Sequence, residues 1–137
     1  MKKFVLILFC CMFLVGCDNN QNKKLLIGTW SYIHEPLYSE TGVYSYNFKE
    51  NNSFEFKYCY FGNNIEEDCI NGKAIYKGTY KLENSRIILK IDNFTQIIDR
   101  NSFYEAKPSE SLIVDFDNMY ICDGNDGLDC DRKFEKD

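Results

Sequence analysis

Residues 44–58, Tyr-Ser-Tyr-Asn-Phe-Lys-Glu-Asn-Asn-Ser-Phe-Glu-Phe-Lys-Tyr, contain two runs in which aromatic and polar side chains alternate. Such alternation is typical of β-strands that bury one face. Residues that oppose each other across an antiparallel pair share a face of the sheet, so Phe48 is expected to pair with Phe54. An odd loop is then required, and Glu50-Asn51-Asn52 fits a three-residue hairpin in which Asn52 is left-handed.

The same reasoning predicts further turns along the chain. A two-residue turn at 84–85 would pair Leu82 with Ile87. A turn at Asp92-Asn93 would separate a strand over 86–91 from another over 94–100. A turn at Asp117-Asn118 would place Val114 opposite Ile121 and Phe116 opposite Met119.

These short connections predict an all-β domain over residues 25–137. Almost no stretch has a helical period, and eight or nine strands can be assigned. Because neighbours in sequence are joined by short turns, an antiparallel up-and-down β-barrel of about eight strands is favoured over a Greek-key sandwich. At 137 residues the chain is long enough for one such domain and too short for two.

The first sixteen residues have the pattern of a secretory signal peptide. Lys2 and Lys3 precede an apolar run over 4–16 that is too short to span a bilayer comfortably. The run ends in Leu14-Val15-Gly16-Cys17, which looks like the lipobox of bacterial lipoproteins. The resemblance implies cleavage before Cys17 and acylation of that residue. An uncleaved anchor and an ordinary signal peptide are the alternatives.

The mature protein is then expected to be anchored by lipid to a membrane of the bacterial cell envelope, with its domain outside the cytoplasm. Residues 17–24 would comprise the lipidated Cys17 and a polar tether. Loss of Lys2 and Lys3 with the leader changes the net charge from −5 to −7, which argues against a nucleic-acid partner.

Four cysteines remain for the exported domain, an even number that indicates disulfides. Three connectivities are possible. We prefer Cys59–Cys69 and Cys122–Cys130, because each pair brackets a short polar loop. Free thiols and a four-cysteine zinc site are the alternatives, although these spacings do not resemble zinc knuckles.

Gly28-Thr29-Trp30 opens the first strand and resembles the Gly-x-Trp signature of lipocalins and related calycin barrels. The resemblance implies that Trp30 closes the barrel floor, with a basic side chain from the last strand lying across its indole. Arg132 is the candidate for that partner and Lys133 the second choice. Trp30 as an ordinary core aromatic is the alternative.

The resemblance also implies a binding function at the open end of the barrel. We expect a small apolar or aromatic ligand and no cofactor; the guessed lining residues are Tyr44, Tyr46, Phe56, Tyr58 and Tyr80. An eight-stranded barrel of this size is also readily filled by its own side chains. The alternative is an envelope interaction protein, such as an inhibitor of an attacking lysozyme or protease, that acts through its disulfide-closed loops. We expect no enzymatic activity, since His34 is the only histidine and no catalytic set surrounds it in the sequence.

An acidic stretch between Cys122 and Cys130 is the one weak candidate for a metal site. Oxygen-rich loops of this kind can hold Ca²⁺, but the spacing does not match an EF-hand. A solvated acidic turn is the preferred interpretation, so no metal is expected. The residues concerned are Asp123, Asn125, Asp126 and Asp129.

Lipidation gives the first prediction. Cys17→Ser should leave an unprocessed precursor without lipid mass, because the thiol that receives the lipid is absent. Intact-mass spectrometry of the membrane fraction tests this, and normal maturation of the variant would contradict it.

Overall fold

The structure is a closed antiparallel barrel in which eight strands follow one another in chain order. This computed structural model describes residues 19–34, 42–60, 72–98, 107–123 and 130–137. The strands are β1 (Gly28–His34), β2 (Gly42–Phe48), β3 (Ser53–Tyr60), β4 (Gly72–Glu83), β5 (Arg86–Ile98), β6 (Ser111–Asp115), β7 (Tyr120–Asp123) and β8 (Arg132–Lys136). The predicted all-β up-and-down barrel is confirmed.

The connections divide the barrel into two unlike ends, because successive turns of an up-and-down meander alternate between ends. One end, here called the short-turn end, holds the tight turns at 49–52, 84–85 and 116–119. The other, the long-loop end, receives the longer connections from β1 to β2, β3 to β4, β5 to β6 and β7 to β8.

The predicted registers at the short-turn end are confirmed. Phe48 pairs with Phe54, and the intervening Asn52 has a φ of 62°. Leu82 pairs with Ile87 around a turn in which Asn84 has a φ of 55°. Asparagine is among the residues that best tolerate this left-handed conformation.

Val114 pairs with Ile121, as expected from the predicted turn at 117–118. The ladder ends at Asp115 and Tyr120, and the four residues between them form the turn. The Asp115 carboxylate accepts hydrogen bonds from the backbone and side-chain nitrogens of Asn118, both at 2.9 Å. These bonds hold the turn closed.

The predicted turn at Asp92-Asn93 is wrong. Residues 86–98 form one continuous strand, β5, and Phe94 pairs with Tyr76 instead of Ile91. A bulge absorbs the change of parity, because Gly78 pairs with Ile91 while its neighbour Lys77 pairs with Asn93. A Cβ atom on Gly78 would lie 1.9 Å from the Lys90 carbonyl oxygen, so the close approach of β4 to the bulge requires glycine.

A helix over residues 19–26 lies before β1, where the sequence indicated only a polar tether. It ends beside Gly28, whose φ of +123° turns the chain into the barrel. Leu26 is fully buried, and its carbonyl accepts a 2.8 Å hydrogen bond from Trp30 Nε1. The helix is therefore docked on the barrel through its last turn.

Trp30 is fully buried, as expected for a residue at the floor of a calycin barrel. The prediction that Arg132 lies across its ring is wrong, and so is the second choice, Lys133. Lys136 Nζ lies 5.5 Å from the centre of the Trp30 ring, because β1 and β8 pair Trp30 with Lys136. Arg132 belongs to the opposite end of β8, four residues away, and contacts Tyr44.

Aromatic side chains fill the middle of the barrel. Tyr46 packs against both Phe56 and Phe134, with ring centres 4.7 and 4.9 Å apart. Each of these three side chains is completely buried. No buried side-chain nitrogen or oxygen in the described parts of the chain lacks a hydrogen-bond partner. The tyrosine-rich interior is thus both packed and satisfied, as a stable core requires.

The buried indole gives the second prediction. Trp30→Ala should lower the free energy of unfolding by about 3–5 kcal/mol, the range for deleting a packed large aromatic side chain. Lys136→Ala should cost only about 1 kcal/mol, because a partly exposed cation–π contact is weak. Urea unfolding followed by far-ultraviolet circular dichroism measures both losses. A red-shifted, freely quenched Trp30 emission in the native protein would contradict the buried position.

Candidate functional site

The candidate site lies at the long-loop end, where the inner face of the barrel carries aromatic side chains and one arginine. Tyr44 and Tyr58 are cross-strand neighbours on β2 and β3, with ring centres 4.4 Å apart. Tyr32 extends this cluster from β1, 5.8 Å from the Tyr44 ring. The Arg132 guanidinium lies 5.1 Å from the centre of the same ring. Four strands thus meet in one polar–aromatic cluster.

A fully buried carboxylate anchors Arg132. Asp123 is the last residue of β7 and pairs with Arg132, the first of β8. Asp123 Oδ2 accepts a 2.7 Å hydrogen bond from Arg132 Nη2 and a 2.9 Å bond from the Tyr46 hydroxyl. The Ser109 hydroxyl donates to Oδ1. A buried charge with this many donors is compensated, whereas breaking a fully buried ion pair by removing one partner costs about 3–5 kcal/mol.

The burial of the cluster changes the acidity of its tyrosines. Desolvation raises the pKa of Tyr46 well above its ordinary value of 10.0, and the negative charge of Asp123 raises it further. Desolvation also raises the pKa of Tyr44, although the positive charge of Arg132 opposes the shift. Both hydroxyls are therefore neutral at physiological pH, and that of Tyr46 donates a hydrogen bond to Asp123.

Phe94 adds an apolar surface to the same end. It pairs with Tyr76 and so faces the same side of the sheet, with the two rings stacked at 4.4 Å. Tyr76 is buried, yet Phe94 is 47% exposed. Among the described residues, β6 pairs with β5 only from Arg86 to Ile88 and leaves this part of β5 uncovered. An inward-facing aromatic ring is thus left nearly half exposed.

The structure divides the five residues that were predicted to line a ligand site. Tyr44 and Tyr58 lie in the cluster at the long-loop end. Tyr46 and Phe56 are buried in the filled middle of the barrel. Tyr80 lies at the short-turn end, where its hydroxyl donates a 2.9 Å hydrogen bond to the Lys49 carbonyl, so it is not part of the same site.

Sequence reasoning missed three members of this end. Tyr32 and Phe94 lie on the inner face of the sheet, as their alternation with outward-facing residues indicates. Phe94 was missed because the turn wrongly predicted at 92–93 assigned it to a separate strand. Asp123 was considered only as a metal ligand. Its position two residues after the buried Ile121 places it on the inner face, and that parity is the signal that could have identified a buried carboxylate.

Disulfides secure the strands that lead into this end. Cys122 is bonded to Cys130 with their Cα atoms 5.4 Å apart, as predicted. Cys59 near the end of β3 is also disulfide-bonded. Its expected partner Cys69 lies outside the described residues, so the Cys59–Cys69 pairing stays a prediction.

The weak calcium candidate receives no support from Asp123. Both carboxylate oxygens already accept hydrogen bonds inside the barrel. The other three candidates, Asn125, Asp126 and Asp129, lie outside the described residues. Within the described ranges, no group of three histidine, cysteine or acidic residues is placed to hold a metal.

The eight-stranded up-and-down barrel is compatible with the calycin-type, ligand-binding fold that Gly28-Thr29-Trp30 suggested. Comparisons with protein-family models, with curated proteins and with solved structures found no match to this chain. In the part of the chain that the structure describes, no helix has the length and apolar character needed to cross a membrane.

The Tyr46–Asp123 hydrogen bond gives the third prediction. In the unfolded chain Tyr46 loses its proton near pH 10, whereas in the barrel it keeps the proton at higher pH. The stability of the wild type should therefore fall as the pH rises above 10. Tyr46→Phe should be about 1–3 kcal/mol less stable at pH 7, because the buried carboxylate loses a donor, but should lose less stability between pH 9 and 11.

Urea unfolding at a series of pH values measures this dependence. Tyr120→Phe removes a hydroxyl from the outer face of β7 and is the control for the loss of one tyrosine. Equal losses above pH 10 in Tyr46→Phe and the wild type would contradict the assignment.

Proposed function

We propose that this protein is a lipid-anchored binding protein of the bacterial cell envelope that holds a small aromatic or apolar ligand at the long-loop end of its barrel. The single observation that carries the proposal is the exposure of Phe94. Its ring faces the inside of the barrel and stacks on Tyr76, but nearly half of its surface is open. An inward-facing ring whose surface is nearly half exposed is a natural place for a flat apolar group.

Other residues at the long-loop end support the same class of ligand. Tyr32 and Tyr44 are only partly buried and offer ring faces for stacking. The side chain of Arg132 is 23% exposed and is held in place by Asp123. It can donate a hydrogen bond to a polar group of the ligand without moving. This site is shallow, since the tyrosine and phenylalanine side chains below it fill the barrel.

The filled barrel favours a second candidate, which is an envelope interaction protein. Tyr46, Phe56 and Phe134 are completely buried and leave little room for a ligand at mid-barrel. A protein that binds through its surface has no need of a deep cavity. In this case the long loops and the exposed Phe94 would contact a protein partner, such as an enzyme that attacks the envelope.

Both candidates are binding functions, and we propose no catalytic role for the domain. The titratable groups of the cluster are used in structural pairing, as the bonds of Asp123 to Arg132, Tyr46 and Ser109 show. The lipid on Cys17 would supply the membrane attachment.

The fourth prediction tests the aromatic site with 8-anilinonaphthalene-1-sulfonate, an aromatic probe whose fluorescence rises in apolar surroundings. Phe94→Ala should weaken probe binding about tenfold, because one stacking partner and its apolar area are lost. The probe should bind Ile88→Ala as it binds the wild type, since Ile88 is an exposed apolar residue on the outer face of the same strand.

The outcomes separate the two candidates. Equal weakening in both variants would contradict a site at Phe94. Native mass spectrometry of the protein isolated from its own host would reveal a retained small molecule if the ligand proposal holds. A retained protein partner, released by Phe94→Ala, would instead support the interaction protein.

A further inference from the structure

A polar groove lies at the short-turn end, between the helix over 19–26 and the adjoining turns of the barrel. Its volume is about 260 Å³. The helix contributes one wall, the β2–β3 turn contributes Asn52, and β4 contributes the other wall. The lining residues are Asn19, Asn20, Lys23, Asn52, Tyr80, Lys81 and Leu82.

The charges of the groove are all of one sign. Among the residues that the structure describes, Lys23 and Lys81 are the charged residues that line it, and no carboxylate does so. Glu50 and Glu83 occur at the same end of the barrel but do not line the groove. This local excess of positive charge is unlike the chain as a whole, whose net charge is −5. Two ammonium groups beside asparagine amides suit an anion such as a phosphate group.

The anchor residue is close to this groove along the chain. Only Asp18 separates Cys17 from Asn19, so Cys17 lies within about 7 Å of the helix even when the chain is fully extended. The helix itself is fixed to the barrel by the buried Leu26 and by a 2.6 Å hydrogen bond from Lys136 Nζ to the Leu25 carbonyl. A lipid on Cys17 would therefore hold the short-turn end near the bilayer.

We propose that the short-turn end faces the membrane and that the groove binds the phosphate of an anionic lipid headgroup. This inference rests on the proposed lipidation of Cys17. Lys23 and Lys81 contact the phosphate, and the docked helix fixes the angle at which the barrel stands. The long-loop end, with Phe94 and Arg132, then points away from the membrane.

Trp30 reports this orientation without labelling, because it is the only tryptophan and lies near the short-turn end. Energy transfer from Trp30 to a dansyl-labelled lipid headgroup falls steeply over the roughly 20 Å length of a seven-residue strand. The full lipidated protein is reconstituted into vesicles of phosphatidylcholine alone or of phosphatidylcholine with phosphatidylglycerol. We expect severalfold higher transfer with phosphatidylglycerol, since each lysine near an anionic surface adds about fivefold to binding.

Two charge-reversal variants test the groove itself. The double variant Lys23→Glu, Lys81→Glu should reduce transfer in phosphatidylglycerol vesicles to the level seen with phosphatidylcholine alone. Lys107→Glu makes the same kind of change in an exposed residue next to the long-loop end and should keep the wild-type transfer. Equal transfer in both kinds of vesicle, or an equal loss in the control and the double variant, would overturn the proposal.

Two further measurements distinguish the membrane contact from the lipidation of Cys17, from the Phe94 site and from the binding of a free anion. Intact mass before reconstitution establishes the lipid on Cys17, and its absence would overturn the anchor and this orientation while leaving the Phe94 site unaffected. Inorganic phosphate added to the vesicles should leave the transfer unchanged. A loss of transfer at low phosphate concentration would assign the groove to a free anion and overturn the membrane contact.

Discussion

The closure of the barrel depends on a short contact between its first and last strands. Among the described residues, β1 and β8 pair through Trp30 with Lys136 and through Ser31 with Glu135. The Ser31 hydroxyl adds a 2.9 Å hydrogen bond to the Asp137 carboxylate. Closure removes the two exposed strand edges that an open sheet of this length would present. The buried Trp30 side chain and its bond to Leu26 consequently stabilise the whole domain and not only the floor.

The other end of the barrel is organised by a buried charge instead of an apolar layer. Asp123 and Arg132 begin the last two-strand ladder, and the disulfide between Cys122 and Cys130 joins the same two strands. A carboxylate and a guanidinium lose hydration when they enter a barrel, so their hydrogen bonds mainly offset that cost. What they contribute is a defined position for Arg132 over Tyr44, and thus a preformed surface at the long-loop end.

The parts of the fold that depend on parity and local turn residues could be predicted from the sequence. Phe48 and Phe54 share a face because the pattern has a period of two, and Asn52 and Asn84 suit left-handed turn positions. The bulge beside Gly78 could not be predicted, because it depends on how closely the Lys90 carbonyl of another strand approaches the glycine backbone. The prediction of the basic partner of Trp30 was wrong for a related reason. The register between β1 and β8 is a long-range property that no local sequence pattern encodes.

The sequence predicted only those residues of the candidate site whose position follows from the alternation of inward and outward side chains along a strand. The prediction that Tyr44 and Tyr58 share a face is correct. The depth of a residue within the barrel, however, depends on how the strands are staggered around it. Tyr80 shares the inward face but lies at the short-turn end, outside the site. The open face of Phe94 depends on the short reach of β6 along β5. β6 begins 17 residues after Phe94, and the residues around Phe94 do not indicate how long that strand is.

The strand order also sets the sequence of events by which the chain can fold. Every strand from β2 to β8 pairs with the strand before it, so most of the sheet can grow as the chain emerges. The pairing of β1 with β8 is different, because it joins positions more than one hundred residues apart and must overcome the entropy of closing that loop. Until residues 132–136 arrive, β1 and the growing end of the sheet are both open to other chains. A chain with this topology completes its fold only when its last five-residue strand has emerged, and its aggregation hazard is concentrated in the interval before that.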